Sequence, residues 1–109
     1  MSHLNLDEIN ELKDIMEDGF GELVDAFIAD SEEKLSALHD ALAQGNATRV
    51  GELGHSLKGA SGNICAAALA DIYKQIEHAG RDQNLDGVAD MVSQAEAVFQ
   101  EVRVELQAL

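Results

Sequence analysis

The stretch LDGVADMVSQAEAVFQEVRVEL, Leu85 to Leu106, decides the fold class. Its apolar residues Leu85, Val88, Val92, Ala95, Phe99, Val102 and Leu106 follow one another at alternating steps of three and four, which draws one apolar stripe along an α-helix. A strand would need apolar residues at every second position, and no cluster of β-branched residues alternates in that way. The chain also has no proline to mark hairpins.

The same spacing recurs towards the N-terminus. Leu69, Ile72, Tyr73 and Ile76 mark a fourth helix that ends near Gly80, and Val50, Leu53, Leu57, Ala60 and Ile64 mark a third, for which Asn46 is a good cap. Phe20, Leu23, Val24, Phe27, Ile28, Leu35, Leu38 and Leu42 line a long second helix that stops near Gly45. Leu6, Ile9, Leu12, Ile15 and Met16 form a short first helix, with Asn5 and Glu8 resembling a capping box and Asp18 and Gly19 ending it. Short connections make successive helices antiparallel neighbours. The expectation is an all-α fold, an antiparallel up-and-down four-helix bundle with an additional short N-terminal helix as a cap, in one domain over residues 1–109. Apolar residues are 46% of the chain, aromatics only 4%, and tryptophan is absent, so leucine, isoleucine, valine and alanine must build the core.

Charge narrows the function. Asp and Glu outnumber Lys and Arg 21 to 7, and the formal charge of −14 disfavours DNA, RNA and anionic lipid as partners. No apolar run approaches the ~18 residues of a membrane span, and the first residues lack the pattern of a signal peptide. The single Cys65 cannot form an internal disulfide, which fits a reducing compartment, and the cytoplasm is expected. The opening methionine and the full set of helices favour a free-standing protein, expected to be a monomer.

One segment departs from good helix chemistry. GELGHSLKGASGN, Gly51 to Asn63, holds four glycines, which should cost a helix roughly 3–4 kcal/mol. On a helical wheel His55 lies about 180° from the apolar centre of this helix, so its imidazole faces water. Gly51, Gly59 and Gly62 fall on that same exposed face, Lys58 stands one turn on, and Gly54 lies off it, where a small residue suits a tight helix crossing. A histidine ringed by glycines is a nucleophile that another protein's surface can reach, with a lysine beside it to meet an anion.

Other chemistries fit less well. Glu52 and His55 share the Glu-x-x-His spacing of di-iron bundles, but such sites need two pairs and two more glutamates, all facing inward. A lone cysteine makes no Cys–His zinc site, so no metal is expected. No glycine-rich phosphate loop joins a strand to a helix, so the chain is not expected to be an ATP-dependent kinase. The remaining rival is an acidic helical adaptor that binds a signalling partner without phosphotransfer, with His55 incidental.

At HSLKGASGN the chain resembles the histidine phosphotransfer (HPt) family of multistep two-component signalling, whose members carry His-x-x-Lys-Gly-x-Ser on an exposed helix of a four-helix bundle. The matching residues are His55, Lys58, Gly59 and Ser61, a second matching element is IEHAGR at Ile76 to Arg81, and the resemblance covers nearly the whole chain. It implies a phosphorelay intermediate that accepts a phosphoryl group on His55 from the aspartyl phosphate of a receiver domain and passes it to a response-regulator receiver. Receiver domains of hybrid sensor kinases and response regulators would be the partners, no cofactor would be resident, and the divalent metal would come with the receiver.

In that reading Lys58 stabilises phosphoryl charge and Gly59 lets the partner's loops close over the ring. Glu77 stands where some members hold a glutamine that orients the imidazole; it accepts a hydrogen bond from Nδ1–H, leaving Nε2 to attack, or is merely solvated. Arg81 supplies a second cation or docking contact, or complements the dipole at its helix's C-terminus. Ser61 and Asn63 are read as local structure bonding the backbone. Cys65 departs from the family's usual glycine and is read as a small buried residue without chemistry. His3, in a flexible start, His39 and His78 look ordinary. The acidity predicts a partner interface that is largely apolar and glycine-lined, with contacts near the third helix and the first short one.

Overall fold

Each apolar stripe becomes a helix in the computed structural model, which describes residues 3–109; Met1 and Ser2, and with them the reading of the opening methionine, lie outside the described residues. The helices are α1 Leu6–Met16, α2 Gly19–Ala43, α3 Ala47–Asn63, α4 Ala67–Arg81 and α5 Val88–Gln107. Helix α2 packs against α3, α3 against α4, α4 against α5, and α5 closes the ring on α2, giving the up-and-down four-helix bundle; α1 lies on α2. The 25 residues of α2 span roughly 37 Å, most of the 42 Å long axis.

The heptad-like stripe of α5 turns inward in full from Val88 onward: Val88, Val92, Ala95, Phe99, Val102 and Leu106 are all buried. Leu85 precedes the helix and is half-buried, because the chain needs residues 82–87 to reverse direction and Gly87 takes a left-handed φ of 78° there. Phe99 meets Phe27 of α2 in a tilted pair with centroids 5.9 Å apart, worth about 1 kcal/mol beyond its buried area. In α1 only Ile9 is fully buried; Leu12 and Met16 are half-buried, and Leu6 and Ile15 are exposed, so the cap rests on one edge of its helix.

The turns explain how short connections suffice. Helices α2, α3 and α4 all end in the same motif, with one residue at positive φ (Gly45, Cys65 and Gln83) and paired backbone bonds back to the last turn. Cys65, half-buried, is therefore in the left-handed conformation that ordinarily selects glycine, and its role is conformational rather than the buried packing expected. Asn5 caps α1 through Oδ1, but its own N–H donates to the Cys65 carbonyl at 3.0 Å rather than to Glu8, which ties the start of α1 to the α3–α4 turn. His3 is likewise held, not flexible: its N–H donates to the Glu105 carboxylate at 3.2 Å and its ring meets Glu101.

Contact between α3 and α4 is the closest in the bundle, and glycine permits it. A Cβ on Gly54 would lie 2.7 Å from the Glu77 nitrogen, and one on Gly80 would lie 2.3 Å from the nitrogen of Gly51. Gly51 is buried in this crossing, contrary to its expected place on the exposed face. Its wheel angle points it away from the apolar centre, but the C-terminal turn of α4 passes over it. Gly59 and Gly62 are exposed as expected, with open space where a Cβ would stand.

Gly80→Ala is expected to lower the free energy of unfolding by about 1–3 kcal/mol despite alanine's better helix propensity, because the new methyl meets backbone that cannot rotate away. Urea denaturation of the two proteins measures the difference.

Candidate functional site

With no side chain at Gly54, the α4 backbone at Glu77 settles against α3 one residue from His55. The Glu77 side chain is only 1% exposed and its carboxylate emerges between three cationic or protonatable groups. The His55 ring lies with Nδ1 2.8 Å from Oε2, Lys58 donates from Nζ to Oε1 at 2.7 Å, and Arg81 donates from Nη2 to Oε2 at 2.6 Å. Helical spacing creates the convergence: Lys58 follows His55 by three residues on α3, and Arg81 follows Glu77 by four on α4.

Lys58 hydrogen bonding holds the Glu77 carboxyl below the usual carboxylate range, overcoming the opposing effect of burial, with further help from the His55 hydrogen bond and the Arg81 charge. An ionised carboxylate only accepts, so the proton in the contact with His55 belongs to Nδ1. In the neutral ring the lone pair is then on Nε2, on the far side of an imidazole that is 63% exposed. The arrangement presents one oriented, solvent-facing nitrogen nucleophile with two cations within a turn of it.

A cleft of about 360 Å³ opens beside His55, lined by Thr48, Gly51, Glu52, Gly80, Arg81 and Gln83. On the other flank of α3, Lys34 of α2 donates to the Ser56 hydroxyl and pairs with Asp30. A shallow apolar groove there runs past Leu23, Ala26, Phe27 and Ala60.

The structure brings together His55, Lys58, Glu77 and Arg81, with Gly51 beneath them and Gly59 and Gly62 open at the surface. Glu77 is the buried centre of the cluster and not a solvated side chain. Ser61 stays outside it: its hydroxyl is fully buried and makes no hydrogen bond to the backbone, a departure from the backbone-bonding role expected of it. Burial, then the nearby Glu8 charge, pushes the Cys65 thiol up, which favours the protonated, unreactive form. His39 pairs with Glu96 at 2.9 Å and His78 is exposed on α4. Missed in the sequence were the packing role of Gly80, read there as a helix end within IEHAGR, and Lys34; the pairing of small residues across two helices, Gly54 on α3 and Gly80 on α4, carries no signal until the helices are docked.

Comparison with known proteins follows the same lines. A family model described as the Hpt domain matches residues 22–109. Among solved structures, the crystal structure of histidine-containing phosphotransfer protein B (HptB) from Pseudomonas aeruginosa PAO1 is similar to this chain with a TM-score of 0.94 and 36% sequence identity, covering 97% of this chain and 92% of that one. No curated protein matches the chain.

Because the folded Glu77 carboxyl titrates below its unfolded value, its stabilising contribution is fully present above the ordinary carboxylate range and is lost as the pH falls through the lowered folded value. Glu77→Gln keeps the shape and one acceptor but not the charge. It is expected to unfold about 1–3 kcal/mol more easily than the parent near pH 7, with the gap closing in acid. Denaturant curves for both proteins at several pH values check the sign and the window.

Proposed function

This chain belongs to the Hpt domain family, and on that premise we propose that it is a phosphorelay intermediate in which His55 carries the phosphoryl group between two receiver domains. The Hpt match and the likeness to HptB support a histidine phosphotransfer role in general. The observation that carries the assignment to His55 is the exposed imidazole whose Nδ1 is tied to a buried, ionised Glu77.

In the forward step the Nε2 lone pair attacks phosphorus in line, an N–P bond forms, and the P–O bond to the donor aspartate breaks, with the electron pair leaving on its carboxylate. The second step is the reverse, onto the aspartate of a response regulator. The transition state is loose, with charge spread over the peripheral phosphoryl oxygens, so positioning and cations dominate. Lys58 sits where it can swing from Glu77 to those oxygens, and the receiver brings the divalent metal. The chain needs no ATP site for this, acting as acceptor and donor and not as a kinase.

A receiver docks across α3, over the open surface at Gly59 and Gly62 and the apolar groove of Leu23, Ala26, Phe27 and Ala60. Exposed Leu6 and Ile15 of α1 offer further apolar surface. Such an interface keeps like charge to its rim, as a chain of net charge −14 requires with acidic partners. The protein works as a cytoplasmic monomer.

Mixing the protein with a panel of phosphorylated receivers tests this directly. Label is expected to move onto it, to survive base and to be lost in acid, and to be absent from His55→Gln while that variant still binds receivers. Lys58→Ala is expected to slow transfer about ten- to a hundredfold without unfolding the chain. Binding without transfer to any receiver would establish the adaptor instead, and label on Ser61 would overturn the assignment to His55. Gly59→Ala separates fold from docking: it is expected to stabilise α3 by up to about 1 kcal/mol while slowing transfer, seen by pairing thermal unfolding with the transfer assay.

A further inference from the structure

A carboxylate hydrogen-bonded to an imidazole has a second effect besides orienting it. The negative charge stabilises the imidazolium, and an imidazolium has no lone pair on Nε2 with which to attack phosphorus. Glu77 alone would thus orient His55 and disarm it together. Both of its oxygens are, however, already engaged by cations, Lys58 on Oε1 and Arg81 on Oε2, the oxygen that also faces His55 Nδ1. One carboxylate and two cations leave surplus positive charge around the ring, and a second proton on it would add to that surplus.

We infer that Arg81, acting with Lys58 through Glu77, is a positioning residue that keeps the His55 imidazole in its neutral, Nδ1-protonated form. The inference rests on the reading of Nε2 as the phosphoryl acceptor. Among the described residues, the helices that pack against α3 are α2 and α4. From α2 the charged neighbour is Lys34, bonded to Ser56 and balanced by Asp30. On α3 itself Glu52 lines the cleft beside His55, but it is exposed, and water screens its pull on the ring. Of the charged residues of α4, Glu77 and Arg81 belong to the cluster. Arg81 is 62% exposed and thus costs the core little when replaced, so its anchorage on the carboxylate is what brings its charge to the ring.

The experiment is an NMR titration of the full chain, without any receiver, following the ring nitrogens of His55 from about pH 5 to pH 9 with His3 and His39 as internal references. Arg81→Gln and Lys58→Gln are each expected to move the His55 midpoint up by about half a pH unit or more relative to the parent. Arg81→Lys should restore most of the parental value, and Glu77→Gln should move the midpoint down. In the Glu77→Gln background the Arg81→Gln shift should largely vanish, since the guanidinium has lost its anchor. An Arg81→Gln midpoint that is unchanged or lowered would overturn the inference, and so would an equal shift in both backgrounds, which would mean that Arg81 acts on the ring directly. Because no receiver is present, the two readings fail separately: transfer onto His55 with an unmoved midpoint removes only this inference, whereas the expected shifts without any transfer remove only the relay.

Discussion

The approach of α3 to α4 governs nearly everything else in this molecule. Gly54 on one helix and Gly80 on the other let two backbones meet where a Cβ would collide, Gly80 resting on the backbone of Gly51. That contact carries the Glu77 carboxylate out of water and sets it under His55. A larger residue at Gly54 or Gly80 would hold the helices apart, and the glutamate would reach solvent before it reached the imidazole. The glycines cost the isolated helices stability, and the packing they permit repays that by closing the bundle and assembling the site in one step.

Burying a carboxylate is expensive unless its charge is matched. Here the matching groups belong to the candidate site, so the side chains that offset the burial of Glu77 are the same ones proposed to serve the chemistry. The acidic composition sharpens this economy. With 7 cations against 21 acids, two of the few positive side chains, Lys58 and Arg81, are held on one carboxylate and a third, Lys34, on the hydroxyl next to His55. The proposed phosphoryl transfer would thereby meet a local cluster of cations on a chain of net charge −14.

Much of this was legible in the residues themselves. The period of the apolar stripes in α2 to α5, with Asn5 and Asn46 as caps and Gly45 as a stop, outlined the bundle, and the wheel angle of His55 placed its ring outside. What went astray shows where such reasoning ends. The helical wheel puts Gly51 on the exposed face because it knows only its own helix, whereas burial depends on what a neighbour lays across it. Cys65 looks like buried filler in the sequence because a positive φ at a non-glycine residue leaves no mark in composition. Glu77 stood open between solvated and bonded, since both fates suit a glutamate near a helix end.

The sequence by itself determined the helices, their order and the outward direction of His55, because periodicity and capping are local and act within a turn or two of the chain. Only the tertiary structure decided that Glu77 and Arg81 of α4 meet His55 and Lys58 of α3. Their encounter requires a particular distance between two helices, and that distance follows from the absence of side chains on both of them at once.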